Sequence, residues 1–332
     1  MSAIASAPVR LVLFGGFFSR QGPFFGMRID LNRPALLVPT ICTLFVLSTI
    51  GCASLRKQKI VPDSIVSCRQ MSREGVAAME LGQWECAREL LVEAVRMSPT
   101  DIDARRHLAE VLWRQGELRD AVIHMEAAVR LDSRHAPTLV RSGEMLLGVG
   151  AVDRAMNRAE EAIALDSALA GAWALRGQVF RQQGNSERAL ADLQQALRFS
   201  PHEAEVLLAT AEIQHSLGRH QRSLTTLHHL LDVYPPGEEP QRALWLEGLV
   251  YNALERRTDA VESLYAATLR GEPKAELFYQ LAETQKAVGQ PGAATNSLRQ
   301  ALALDAGHQA SQILLAQLEG AIPSKRGSLL LR

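Results

Sequence analysis

The residues best suited to chemistry in this chain are a few histidines, acids and cysteines. Their spacing argues against catalysis set by set. His124-Met125-Glu126 presents the His-x-Glu half of a zinc-activated-water site, but no Pro-Cys-x-x-Cys follows to complete the ligands. His228-His229 is a tempting metal pair. Adjacent residues of a helix point about 100° apart, and no carboxylate or third histidine stands one turn from both, so the pair reads as a solvated face. Asp101-Ile102-Asp103 falls at a helix start, where an Asp side chain caps free backbone N–H groups. The cysteines at 42, 52, 68 and 86 fit no paired zinc spacing. A phosphate loop, a Gly-x-Ser-x-Gly elbow and a His-Glu-x-x-His helix are all missing from the sequence. The expectation is a protein without catalytic residues, metal or cofactor.

Something else must occupy 332 residues, and the composition says helices. Apolar residues are 47% of the chain and aromatics only 5%, with Ala and Leu supplying most of the apolar count. Lys plus Arg equals Asp plus Glu at 36 each, so net charge gives no argument for a nucleic-acid partner. Self-similarity organises the rest. Gly75, Ala109, Gly143, Gly177 and Ala211 recur every 34 residues, and after three extra residues Gly248 and Ala282 resume the step. Twelve residues beyond each stand Ala87, Ala121, Ala155, Ala189, Ser223, Ala260 and Ala294. Seven further on come Ala94, Ala128, Ala162, Ala196, Leu230, Ala267 and Ala301. Such columns mark where two helices of a hairpin approach closely. Gly82, Gly116, Gly150, Gly184, Gly218 and Gly289 sit where a left-handed residue would end the first helix, and Glu255 breaks that column. Pro99, Pro201 and Pro235 end second helices, while Leu91, Met125, Leu193, Leu227, Leu264 and Leu298 are read as bulky residues facing the next hairpin.

The fourth unit carries the fullest motif: Trp173, Gly177, Phe180, Ala189, Leu193, Ala196 and Pro201. It resembles the tetratricopeptide-repeat signature W-x-x-L-G-x-x-Y…A-x-x-x-F…A…P, with Arg176 in place of the signature Leu. The resemblance spans 68–308 and implies an all-α, right-handed superhelical solenoid of about seven helix-turn-helix repeats. The units run 68–101, 102–135, 136–169, 170–203, 204–237, 241–274 and 275–308. One hairpin cannot bury its own apolar face, so each must stack on the next. A capping helix over 309–320 closes the stack, with Ile313, Leu314 and Leu318 available to pack inward, and a loose tail follows over 321–332. Cys68 and Cys86 fall at opposite ends of the first hairpin, too far apart for a disulfide, and are expected to be free thiols packed in it.

Ahead of the repeats, Arg28 and Arg33 precede an uncharged run of sixteen residues, Ala35 to Ile50. That is short for a membrane span and right for a signal-peptide core. Ser48-Thr49-Ile50-Gly51-Cys52 looks like a bacterial lipobox, with Thr49 departing from its usual Leu. The resemblance implies a lipid on Cys52 after removal of 27–51, and a tether over 52–67 without helical pattern. Residues 1–26 then read as an extension ahead of a true start at Met27. The implied address is the cell envelope, on the periplasmic face of the outer membrane, and the alternative is a single uncleaved membrane anchor. Lipidated stacks of such repeats resemble the pilotin lipoproteins of type IV pilus systems.

In such solenoids the first helix of each hairpin lines a concave groove, which takes a protein or peptide. The positions implied here are Arg106, Glu110, Trp113 and Arg114 in the second unit and Arg181 in the fourth. The fifth adds Glu205, Leu208, Glu212 and His215, the sixth Trp245, Leu249 and Asn252, and the seventh Tyr279, Glu283 and Lys286. Trp, Tyr and Arg are frequent hot-spot residues. Trp113 and Trp245 could equally pack against neighbouring hairpins, whereas Trp84 and Trp173 occupy structural motif positions. Homo-oligomerisation through an end hairpin is left open by the sequence.

Overall fold

The computed structural model describes residues 63–321. The lipidation candidate Cys52, the signal segment and the tail beyond Ala321 lie outside them. Fifteen α-helices and no strands make up the described residues. Seven hairpins follow one another: α1 (Asp63–Glu80) with α2 (Trp84–Met97), α3 (Ile102–Arg114) with α4 (Leu118–Leu131), α5 (Ala136–Gly148) with α6 (Val152–Leu165), and α7 (Ala170–Gln182) with α8 (Ser186–Phe199). Then come α9 (Ala204–Ser216) with α10 (His220–Leu231), α11 (Gln241–Ala253) with α12 (Arg257–Thr268), and α13 (Ala275–Ala287) with α14 (Pro291–Leu304); α15 (Gln309–Ala321) stands alone at the end. Each helix packs on the next in sequence. In addition α1 touches α3, α5 touches α7, α9 touches α11 and α13 touches α15, so first helices lie beside first helices. No helix of the described residues is long and apolar enough to cross a membrane.

The small-residue columns are the closest packed part. Ala87, Ala121, Ala155, Ala189, Ser223, Ala260 and Ala294 are all 0% exposed. Ser223, the one polar member, stays satisfied because its hydroxyl donates to the Ala211 carbonyl at 2.8 Å. Turns between the helices of a hairpin repeat one geometry. The amide of Gly82 donates to Met79 O at 3.0 Å and that of Gln83 to Ala78 O at 2.8 Å, which requires a left-handed residue at position 82. Glu255 adopts the same conformation with φ 60° and the same two bonds, against the steric preference of a residue with a Cβ.

Four sequence expectations need correction. Helix α1 begins at Asp63, inside the segment read as tether. The bulky column does not serve the next hairpin alone: a Cβ on Gly75 would lie 2.8 Å from Leu91, one on Gly177 3.0 Å from Leu193, and one on Gly248 2.5 Å from Leu264, all within a single hairpin, while Leu193 and Leu264 also join core clusters with the following hairpin. Of the capping residues, Leu314 and Leu318 are buried, but Ile313 is 60% exposed. Cys68 is buried, with its thiol donating to Ala94 O at 3.2 Å, whereas Cys86 is exposed rather than packed.

Arg176, where the repeat signature has Leu, forms a two-pronged ion pair with buried Asp192 at 2.7 and 2.9 Å, inside its own hairpin. The third hairpin differs again. Its second helix carries Ala159 where others carry the bulky residue, and the space beside Gly143 is filled by Leu175 of the following hairpin, 2.3 Å from where a Cβ would stand.

Candidate interaction groove

Because first helices lie beside first helices, their outward rows form one continuous side. Several predicted groove residues of that side are tied to neighbouring hairpins, and others to their own helix. Arg141 of α5 clamps Glu110 of α3 at 2.7 Å through two nitrogens and reaches Glu144 at 2.9 Å. The Glu110 carboxylate holds the Arg141 guanidinium well above its ordinary pKa, against the opposing effect of burial. Glu212 of α9 accepts from Arg181 of α7 at 3.0 Å and forms an ion pair with Arg242 of α11 at 2.5 Å, so one carboxylate joins three hairpins. Asn252 donates to Thr284 Oγ1 at 2.8 Å. Tyr279 donates to Glu283 at 2.6 Å, and burial together with that carboxylate pushes its hydroxyl up to about 12. Arg106 pairs with Asp103 at 3.3 Å, and Arg114 stacks 5.4 Å from the Trp84 ring.

Both groove tryptophans are half-buried and packed across hairpins. The Trp113 ring covers Gly148 of α5, where a Cβ would lie 2.6 Å from it, and Arg141 stands 6.0 Å from its centroid. Trp245 donates from Nε1 to Gln280 at 2.5 Å with Lys274 5.8 Å from its ring. Trp173 donates to Ser167 O at 2.9 Å beneath the Arg176 guanidinium.

Two clefts open on this side. One of about 590 Å³ is lined by Leu147, Gln178, Arg181, Gln182, Glu205, Leu208, Ala209, Glu212 and Arg242. It brings together the predicted Arg181, Glu205, Leu208 and Glu212 with Arg242, which sequence reading missed; the predicted His215 lies outside it, against His220. The other, of about 720 Å³, lies between α1 and α3 and includes Arg69, Ser72, Val76, Asp103 and His107. Arg106 and Glu110 do not line either cleft, nor do Asn252, Tyr279 or Glu283. The missed partner Arg141 carried a signal, shared with the predicted Arg181 and Glu212. Glu110 with Arg141 and Arg181 with Glu212 are each 31 residues apart, three short of the repeat, which places them opposite one another on successive first helices.

The histidines read for chemistry differ in their surroundings. His228 and His229 are both exposed, as a solvated face requires, yet His228 Nε2 is 3.3 Å from Glu247 and 3.1 Å from the Tyr251 hydroxyl, and His229 meets the His202 ring edge-on at 5.1 Å. His124 Nδ1 is buried without a hydrogen-bond partner. Glu126 lies 7% exposed among Ser142, Arg154 and Arg158. Burial raises its carboxyl, but the bonds from Arg158 and Ser142 prevail and hold it at about 2. Asp101 caps α3 as expected, accepting from the Ala104 amide at 2.9 Å. Among the described residues no three His, Cys, Asp or Glu side chains stand together as metal ligands.

A family model described as tetratricopeptide repeat matches residues 72–136, 143–204 and 174–227. The hairpins within those residues are tetratricopeptide repeats. Solved structures agree on the fold. A tetratricopeptide repeat protein from Parabacteroides merdae superposes with a TM-score of 0.55 at 18% identity, covering 76% of this chain and 99% of that one. PilW, a type IV pilus biogenesis factor, gives 0.58 at 16% identity over 64% of this chain and 98% of its own. YrrB, a tetratricopeptide protein with an unusual peptide-binding site, gives 0.50 at 18% identity over 57% and 96%. No curated protein matches the chain in sequence.

Proposed function

We propose that this tetratricopeptide solenoid is a non-enzymatic scaffold that holds a partner protein or peptide along its first-helix side and is tethered to a membrane through a lipid on Cys52. The observation that carries the reading is the cleft of about 590 Å³ over α7, α9 and α11, where side chains of four consecutive hairpins converge. YrrB, of like fold, is described by a peptide-binding site, which supports the same use of this side. A second reading, an assembly factor of the pilotin kind acting at the cell envelope, is favoured by the match to nearly the whole of PilW. The lipid and the tether rest on the Ser48-to-Cys52 pattern. Proposed groove residues beyond the cleft are Arg106, Glu110, Trp113, Arg114, Trp245, Asn252, Tyr279 and Glu283.

The test is capture from envelope extract by the immobilised full-length chain beside a Trp113→Ala/Arg181→Ala/Trp245→Ala variant shown by circular dichroism to be folded. A partner retained only by the unaltered chain supports the scaffold and names its pathway, and a secretin would select the pilotin reading. Equal retention by both moves the binding surface off the first-helix side. Labelling of the chain with a fatty-acid analogue, lost in Cys52→Ala, tests the anchor separately.

A further inference from the structure

We propose that the cleft over α9 recognises an extended protein segment in which a basic, an apolar and an acidic residue alternate with spacers; this deepens the scaffold reading and rests on it. Glu205, Leu208 and Glu212 stand at i, i+3 and i+7 of α9 and so share one face, with about 10.5 Å of helix rise between the two carboxylates. The two ends of that face have opposite character.

At the first end, Glu205 is exposed and makes no ion pair or side-chain hydrogen bond among the described residues. It also lines a neighbouring hollow of about 370 Å³ whose other charged walls are Glu144, Asp166 and Glu203, with no cation in the lining. Of these carboxylates Glu144 alone pairs with a cation, Arg141, while Asp166 accepts from the Ala168 amide at 2.9 Å. At the far end two arginines share the single carboxylate of Glu212. Their side chains remain 44% and 65% exposed, for Arg181 and Arg242 respectively. A guanidinium has five N–H donors, and Glu212 occupies only part of that capacity. Leu208 lies between the ends, half-buried, with Leu147 beside it in the same cleft. The face is therefore acidic, apolar and cationic in sequence along about two turns of helix.

An extended chain presents alternate residues on one side at about 3.3 Å rise each. A Lys-x-Leu-x-Glu segment then spans about 13 Å between its charged residues, within reach of the α9 face once the flexible side-chain ends adjust. A segment carrying the same charge at both ends would set one of them against its own sign, which is how complementary charge selects partners.

The test uses fluorescence anisotropy with two labelled heptapeptides, blocked at both ends: Ser-Lys-Ser-Leu-Ser-Glu-Ser and Ser-Glu-Ser-Leu-Ser-Glu-Ser. The full-length chain is expected to bind the mixed peptide about tenfold more tightly than the diacidic one. In Glu205→Lys, a change at an exposed and unpaired residue, the order should reverse. Equal affinity for both peptides, no binding of either, or an unchanged order in Glu205→Lys overturns the proposal. A partner captured through the groove but indifferent to Glu205→Lys would leave the scaffold standing and remove this assignment alone.

Discussion

The third and fourth hairpins have helices of the same length, 13 and 14 residues, yet they hold themselves together differently. The fourth is complete within itself: Gly177 is covered by Leu193 and Arg176 is neutralised by Asp192, both from its own second helix. The third is completed from both sides. Leu175 of the fourth hairpin covers Gly143, and Glu126 of the second hairpin supplies the carboxylate for Arg154 and Arg158. Stacked repeats are coupled only through neighbour interfaces. Such exchange of side chains across an interface is what turns adjacent hairpins into one cooperative unit.

The comparison can be broken most directly at Leu175. Leu175→Ala should cost about 3–5 kcal/mol, as a buried Leu truncation in a site that cannot collapse, and should also split urea unfolding followed by circular dichroism into separate steps. Leu193→Ala, which empties a space inside one hairpin, should shift the transition without splitting it. Identical behaviour of the two variants would show that the third hairpin is no more dependent on its neighbours than the fourth.

A second probe acts on the other side of the third hairpin. Glu126→Gln should cost about 2–4 kcal/mol at neutral pH by removing the buried counter-charge of Arg158, which keeps only the more exposed Glu161 at 2.7 Å. Because the folded carboxyl is held at about 2, below its ordinary 4.5, its contribution is complete above that ordinary value and disappears as pH falls through the folded one. Wild type and variant should therefore converge in stability between those limits, and a difference that persists unchanged at the acid end would contradict the assignment.

Smaller effects sharpen the picture elsewhere. Glu255→Gly should stabilise the sixth hairpin by about 0.5–1 kcal/mol, since its φ of 60° disfavours a side chain while the added chain entropy of glycine offsets part of the gain. Thermal unfolding of that variant below the wild-type midpoint would mean the side chain is itself a contact. For the self-contained hairpin, the double change Arg176→Leu/Asp192→Leu should alter stability by only about 1 kcal/mol or less, because exchanging a buried pair for apolar residues removes its desolvation cost together with its attraction. A loss as large as that of Asp192→Leu alone would mark the pair as indispensable.

The solenoid was legible because its determinants are local and repeated: a Gly or Ala column, a left-handed turn residue and a period of 34 residues state the same fold several times over. What sequence reading missed belongs to departures from the repeat. Ala159 in a bulky column gave no hint of which residue fills the gap, and the replacement comes from another helix at a different register. His228 found Glu247 and Tyr251 on α11, beyond the three-residue insertion that shifts the spacing used to align units. Ile313 has the residue type of a core position but occupies the outer side of α15, where periodicity without a following helix does not choose a face. On the first-helix side, the place of each candidate residue follows from its position in the unit. Which of them pair follows from a 31-residue spacing whose meaning depends on the stagger of successive first helices.

That insertion does not separate the fifth and sixth hairpins: Arg242 of α11 pairs with Glu212 of α9 at 2.5 Å, and the Tyr251 hydroxyl of α11 lies 3.1 Å from His228 of α10. The inserted loop is itself held to the sixth hairpin, with Arg270 donating to Glu239 at 3.1 Å. Under tension applied through its two ends the solenoid should accordingly behave as one spring, sharing extension among all its hairpins, and a pull transmitted from an anchored N-terminus would reach the last repeat without being absorbed midway.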